Sequence, residues 1–205
     1  MSASVVIEQG DTVARLAERF GLAPDTIWND PANADLRKLR ADMNILAAGD
    51  VVVVRDKVAR SVAAQTGRVH RFRRHGVPTL FRVRVLVDGK PLGEQPYVLA
   101  IDDGRYEGTT GADGSIERYI PNGARAGSLS VGPSFSANLS FGHMDPIDTE
   151  SGVAKRLDNL GFRGPLDAAL QRFRELHGME PGGIDAALRA KLQEAHDTAT
   201  PASGV

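Results

Sequence analysis

The sequence contains no cysteine, and that absence alone excludes several chemistries. Without thiols the chain forms no disulfide, binds no zinc through cysteine and has no cysteine nucleophile. Aromatic residues are also scarce, at 5% of 205 residues, so any core must be mainly aliphatic. Neither sign of charge is in excess, because 25 Lys and Arg face 26 Asp and Glu. This balance argues against a globally basic nucleic-acid-binding protein.

Long hydrophobic runs are missing as well. The N-terminus has only three consecutive apolar residues, Val5–Ile7, before Glu8, and it lacks the basic and apolar regions of a secretory signal. The longest uncharged stretch, 126–144, is rich in Ser and Gly and too polar to span a bilayer. We therefore expect no membrane span and a chain that is cytoplasmic as synthesised. Delivery to the periplasm or outside by a contractile secretion system is one route that this prediction leaves open.

No catalytic signature is present in the sequence. The five histidines are dispersed without HxxxH or HExxH spacing, and there is no Gly-x-Ser-x-Gly elbow and no phosphate-binding loop. His143-Met144-Asp145 lacks the second His and the Glu of a zinc peptidase. The sequence therefore predicts a protein that is not an enzyme and uses no cofactor or metal.

The hydrophobic periodicity changes along the chain and predicts a multidomain α+β protein. Residues 1–55 predict a small βααβ domain, in which Asp11 or Thr12 is the N-cap and Gly21 the C-cap of the first helix. Period-2 patterns and regularly spaced turn signals predict a small antiparallel β-sandwich over 79–133. Helical spacing predicts a three-helix module over 152–196. The remaining segments are predicted as a basic linker (56–78), a Ser/Gly-rich linker (134–151) and a disordered tail (197–205).

The predicted linker 56–78 is strongly basic. Its central arginines, which define a possible partner-binding patch, are Arg68, Arg71, Arg73 and Arg74. One interpretation is a solvated linker. The other is a patch for a polyanion such as nucleic acid, teichoic acid or an acidic protein surface. Phe72 is the single aromatic residue there, which gives little support for base stacking and makes nucleic acid the least expected of these partners.

Three sequence pieces in the N-terminal segment resemble the LysM family. Residues 5–21 contain Gly10-Asp11-Thr12 before a helix that ends in Phe20-Gly21. Thr26-Ile27-Trp28 follows, and residues 46–53 are similar to the closing strand of that family. The loop over 29–44 is longer than is usual in the family, and Arg55 stands where a Pro often closes the domain.

The LysM resemblance implies binding of N-acetylglucosamine polymers, namely peptidoglycan or chitin, in a shallow groove between two loops. By residue-to-residue match the groove comprises Gly10, Asp11, Thr12, Val13, Asn44, Ile45 and Leu46. Backbone amides and Thr12 would pair with acetamide and hydroxyl groups, and Ile45 or Leu46 would contact the methyl group. The alternative is that Asp11 and Thr12 only cap a helix while Ile45 and Leu46 close the core.

The other two segments also resemble known families. Residues 156–162, 168–174 and 182–192 are similar to a three-helix peptidoglycan-binding family, although Arg174 replaces a Gln and Leu188 replaces a Thr. A loop of that family is shortened to Arg163–Pro165, so a docking module is the alternative. Residues 92–99 and 108–114 resemble transthyretin-like or carboxypeptidase-regulatory-like sandwiches, which are spacers or partner-binding modules.

These resemblances predict a non-catalytic, modular, peptidoglycan-binding protein of the bacterial cell envelope. The combination also resembles proteins associated with type VI secretion or phage-tail-like machines. The alternative function is therefore an adaptor that binds a spike or effector protein of a contractile injection apparatus. A third hypothesis is an accessory domain whose catalytic partner is a separate chain.

Overall fold

The protein, described from a computed structural model that covers residues 2–58, 63, 65–70 and 79–197, is a mixed α+β structure. The described part contains small antiparallel sheets and six α-helices. Its buried apolar residues form three separate cores, one in each of three successive parts of the chain. We refer to these parts as the N-terminal unit (2–55), the β unit (79–140) and the helical unit (150–197).

The N-terminal unit packs its helices against a two-stranded sheet. Its elements are β1 (Ser2–Val6), α1 (Val13–Phe20), α2 (Pro24–Trp28), a 3-10 turn (Pro31–Asn33), α3 (Ala34–Leu39) and β2 (Val51–Arg55). The two strands are antiparallel, with Val6 opposite Val51. The predicted caps of α1 are confirmed, because the Thr12 hydroxyl accepts from Arg15 N and Gly21 is left-handed at φ +63°.

A buried asparagine attaches the 3-10 turn to β2. Asn33 is only 1% exposed. Its amide nitrogen donates to the carbonyls of Ile27 and Val53, each at 2.8 Å, and its amide oxygen accepts from Val53 N at 2.8 Å. The two bonds to Val53 satisfy backbone groups that have no strand partner on that side of β2, and the bond to Ile27 joins the turn to α2.

The β unit contains eight strands and one core. The strands are β3 (Thr79–Arg84), β4 (Leu86–Val87), β5 (Lys90–Pro91), β6 (Pro96–Ile101), β7 (Gly104–Thr109), β8 (Ser115–Ile120), β9 (Ala126–Val131) and β10 (Phe135–Ser140). All of them except β4 and β5 contribute to the core. One sheet has the order β10-β9-β6-β7, while β3 pairs with β8 and β4 with β5. Leu99 and Leu129 of the four-stranded sheet and Ile116 of β8 are buried in the same core.

Strand β10 corrects the predicted linker over 134–151. It pairs antiparallel with β9 along its whole length, with Phe135 opposite Val131 and Ser140 opposite Ala126. Phe135 and Leu139 pack on the core of the β unit. The prediction of a linker is therefore wrong at 135–140, because alternate apolar residues among the serines and asparagine make a half-buried edge strand.

The helical unit consists of α4 (Glu150–Asn159), α5 (Leu166–Leu176) and α6 (Ala186–His196). Val153, Leu157, Phe173, Leu188 and Leu192 are buried in its core. Leu176, which continues the helical spacing of Leu166, Leu170 and Phe173, is 72% exposed. It lies in the last turn of α5, where the chain leaves the core.

Two arginines of the helical unit are almost fully buried. Arg156 donates to both carboxylate oxygens of Asp197, to the carbonyl of Asp145 at 2.9 Å and to that of Gly152 at 3.0 Å. Asp197 therefore belongs to the folded unit and not to the predicted disordered tail, and 198–205 lie outside the described residues. Arg174 donates to the carbonyls of Glu180 and Gly183 and to the Asp185 carboxylate. Arg174 thus binds the loop between α5 and α6, which explains why a long, positively charged side chain occupies position 174.

The segment predicted as basic lies largely outside the part of the chain that the structure describes. Arg68 is described and is exposed, whereas Arg71, Arg73 and Arg74 fall among the undescribed residues. Across the described helices, no stretch combines the length and the apolar character that crossing a membrane would require.

Candidate functional site

The two loops predicted to form a glycan groove meet in the N-terminal unit. Val13 N donates to the carbonyl of Met43 at 3.0 Å, so the residues before α1 adjoin those that follow α3. The first loop is closed by a bond from Asp11 N to the Glu8 carbonyl at 3.0 Å. In the second loop, Asn44 N donates to the Asp42 carboxylate at 2.7 Å. The structure thus brings the two predicted sets of residues together.

The seven predicted groove residues differ in exposure. Gly10, Thr12, Val13 and Leu46 are buried, and Val13 and Leu46 belong to the core. Asp11, Asn44 and Ile45 are half-buried and reach the surface. Thr12 therefore acts as the cap of α1 and Leu46 closes the core, as the alternative interpretation expected of these two residues but not of Asp11 and Ile45. The three half-buried residues are the ones whose side chains a ligand can touch.

Asn44 carries an unsatisfied acceptor at this place. Its side-chain oxygen is buried and has no hydrogen-bond partner among the described residues. A buried acceptor without a donor destabilises the folded state, so this oxygen would gain a bond from a ligand if the half-buried Asn44 side chain turned towards the surface.

Residues 141–149, which join β10 to α4, cover part of the first loop. We call them the connecting segment. A Cβ at Gly10 would lie 3.2 Å from His143 Cε1, and one at Gly142 would lie 2.7 Å from the Gly10 carbonyl oxygen. The Gln9 amide also donates to Asp145 at 2.9 Å. In this structure, therefore, the chain's own backbone occupies the space over Gly10 and Thr12.

A cleft of about 310 Å³ opens beside the first loop, between α1 and the 121–125 turn of the β unit. It is lined by Asp11, Arg15, Leu16, Glu18, Arg19, Gly123 and Arg125. Arg15 connects the two sides, because its guanidinium donates to the carbonyl of Gly10 and, at 2.9 Å, to that of Ala124. Sequence reasoning missed this cleft, since no local pattern relates α1 to a turn more than 100 residues later.

Within the described residues, no group of three or more His, Asp or Glu is placed to hold a metal ion. His143 stands beside Gly10 and Asp145 is engaged with Gln9 and Lys155, so these two residues act as packing and ion-pair groups. No protein-family model, curated protein or solved structure matches the chain. What the site does must therefore be argued from its residues.

Proposed function

We propose that this protein is a non-catalytic binding protein for glycans that contain N-acetylglucosamine, with peptidoglycan of the bacterial cell envelope as its target. The glycan would lie across Asp11, Asn44 and Ile45. The observation that carries the proposal is the unpartnered, buried side-chain oxygen of Asn44 beside the junction of the two loops. An acetamide N–H or a sugar hydroxyl would supply the missing donor, and Ile45 would contact an acetamide methyl group.

The test is sedimentation of the purified full chain with insoluble peptidoglycan at low and at physiological salt. Binding at a specific site should persist at physiological salt, whereas binding through exposed arginines alone should be screened. We expect Asn44→Ala to weaken binding roughly two- to twelvefold, the equivalent of one neutral hydrogen bond of about 0.5–1.5 kcal/mol.

Asn138→Ala is the matched control for this experiment. Asn138 is an exposed asparagine of β10 in the β unit, so its replacement should leave binding unchanged. Thr12 is a poor choice of variant, because it is buried and caps α1, and its replacement would lower stability by about 1 kcal/mol. Equal binding by wild type, Asn44→Ala and Asn138→Ala would contradict the glycan site.

The second candidate function is an adaptor that binds a spike or effector of a contractile injection apparatus. The observation that favours it is the connecting segment over Gly10 and Thr12, because a polymer cannot reach those two residues while the segment is there. The sedimentation experiment separates the candidates. Absence of any binding to peptidoglycan, together with a stable complex with a purified spike or effector in size-exclusion chromatography, would favour the adaptor.

A further inference from the structure

The cleft between α1 and the 121–125 turn is lined by more positive than negative groups. Arg15, Arg19 and Arg125 face Asp11 and Glu18 across about 310 Å³. Glu18 of α1 approaches the 121–125 turn, because a Cβ at Gly123 would be 2.6 Å from its carboxylate oxygen. A cleft with charges of both signs is suited to a ligand that carries both, and the excess of positive groups favours carboxylates.

Among the described residues, no ion pair neutralises the positive charge of Arg15. Two of its nitrogens donate to the neutral carbonyls of Gly10 and Ala124, and its Nε is buried without a partner among the described residues. Burial, followed by repulsion from Arg125, lowers the pKa of Arg15 even though Asp11 and Glu18 oppose the shift. The two arginines therefore create an excess of positive potential in the cleft.

Arg125 is a positively charged group of the cleft that a ligand can reach from solvent. It is exposed, and the described residues place no carboxylate within ion-pair distance of it. Arg19 is also exposed and lies over the ring of Phe20, with its Cζ 5.1 Å from the ring centroid. Both side chains can thus reach a ligand group at the mouth of the cleft without first breaking an ion pair.

Asp11 connects the cleft with the proposed glycan site. It is one of the three half-buried groove residues, and it also lines the cleft. A glycan that lies across Asp11, Asn44 and Ile45 would therefore place its branches next to Arg15 and Arg125. Chitin has no branch there, whereas peptidoglycan bears short peptides with free carboxylate and ammonium groups.

We propose that this cleft binds the charged peptide branch of peptidoglycan, with its carboxylates at Arg125 and Arg15 and an ammonium group at Glu18. This inference rests on the proposed function and specifies its ligand as peptide-bearing glycan and not chitin. The bond between Arg125 and a carboxylate is charge-assisted and forms at the mouth of a partly desolvated cleft, so it contributes to affinity.

The experiment measures binding of the full chain by isothermal titration calorimetry to three soluble ligands. These are a peptidoglycan fragment with its peptides, the same fragment after the peptides have been removed, and a chitin oligosaccharide of equal length. We expect the wild type to bind the peptide-bearing fragment roughly tenfold more tightly than either bare glycan. Arg125→Gln should reduce this preference to within about twofold and leave binding of the bare glycans unchanged.

Arg68→Gln is the matched control, because it removes one exposed charge from the predicted basic patch and none from the cleft. Equal affinity of the wild type for all three ligands would overturn the peptide inference and leave the glycan proposal standing. A preference abolished by Arg68→Gln but kept by Arg125→Gln would also overturn it. Failure to bind any of the ligands would overturn both proposals.

Discussion

At the scale of single residues, close approach between distant parts of the chain depends on glycine at one position. Gly142 has a left-handed backbone with φ +75°, and it lies against the Gly10 carbonyl and the Thr12 methyl group. A side chain there would meet two obstacles, namely the strain of the left-handed region and a clash with backbone.

We therefore expect Gly142→Ala to be more destabilising than the same change at a glycine with free space. Its Cβ would lie 2.7 Å from the Gly10 oxygen and 3.1 Å from Thr12 Cγ2. Gly49 is the matched control, because it has φ +94° and a Cβ added there would meet no atom within 4 Å. Both variants share the backbone strain, so the difference in unfolding free energy, about 1–3 kcal/mol, reports the clash. Urea unfolding measures the unfolding free energy of each variant. Equal losses of unfolding free energy in the two variants would mean that the connecting segment does not pack on Gly10.

At the scale of elements, the N-terminal sheet depends on a polar contact that periodicity does not indicate. The stretch 29–44 is predicted as a long loop, yet Asn33 within it is buried and bonded to β2. Hydrophobic spacing identifies the helix faces, but it assigns no partner to a lone asparagine.

Replacing this asparagine should detach the 3-10 turn from β2. Asn33→Ala would leave the partly buried Val53 amide and carbonyl without partners, while the Ile27 carbonyl would keep its bond from Asp30 N. We expect a loss of about 2–4 kcal/mol in the unfolding free energy. Asn138→Ala, at an exposed position, should change it by less than about 0.5 kcal/mol. Similar unfolding midpoints for the two variants would show that the bonds of Asn33 contribute little.

Local patterns predict much of the element order and little of what joins the elements. The caps Thr12 and Gly21 and the strand over 51–54 follow from residue type and spacing. Such patterns do not predict strand β10, because its serines and asparagine are typical of loops. Pairing with β9 stabilises the extended conformation that the strand propensity of these residues does not favour. Of the site, the meeting of the two loops is predicted through a resemblance. The covering segment and the cleft depend on contacts across more than 100 residues.

At the scale of the whole molecule, the connecting segment is bonded to both the N-terminal and the helical unit. Asp145 accepts from Gln9 and, at 2.7 Å, from Lys155, and its backbone carbonyl accepts from Arg156. Asp148 lies 3.2 Å from Arg40, which also pairs with Asp50 at 2.8 Å. The connecting segment is thus joined to the N-terminal unit by polar and charged groups, whereas its Phe141 and Ile147 pack on the cores of the β unit and the helical unit.

This charged connection should make the arrangement of the units sensitive to acid. Burial acts to raise the pKa of Asp145, but hydrogen bonds from Lys155, Ser151 and Gln9 outweigh it and lower the pKa below the ordinary 3.8. A carboxylate whose pKa is lower in the folded state stabilises that state above the ordinary value, and the contribution is lost as pH falls through the lowered value. We expect the radius of gyration to rise as the pH falls below the ordinary aspartate pKa of 3.8, before helix content falls.

Small-angle scattering and circular dichroism across this pH range check the expectation. Asp145→Asn should already be expanded at neutral pH, because it lacks the charge that holds Lys155. Asp113→Asn is the control, since the pKa of Asp113 is also lowered, through hydrogen bonds from Ser115 within its own turn. A radius of gyration that stays constant until the helices unfold would contradict the idea that Asp145 joins the units.

The bonds between units also affect the order in which parts of the protein fold. Gln9 and Arg15 bond to residues 136 and 109 positions later in the chain. During synthesis the N-terminal unit can complete its own core long before those partners leave the ribosome, because the residues of that core all lie between Val5 and Val54. Docking across such a long loop has a large entropic cost of closure, so it should follow the folding of the separate units. A newly made chain therefore exposes Gly10 and Thr12 for a time, and only the mature protein has them covered.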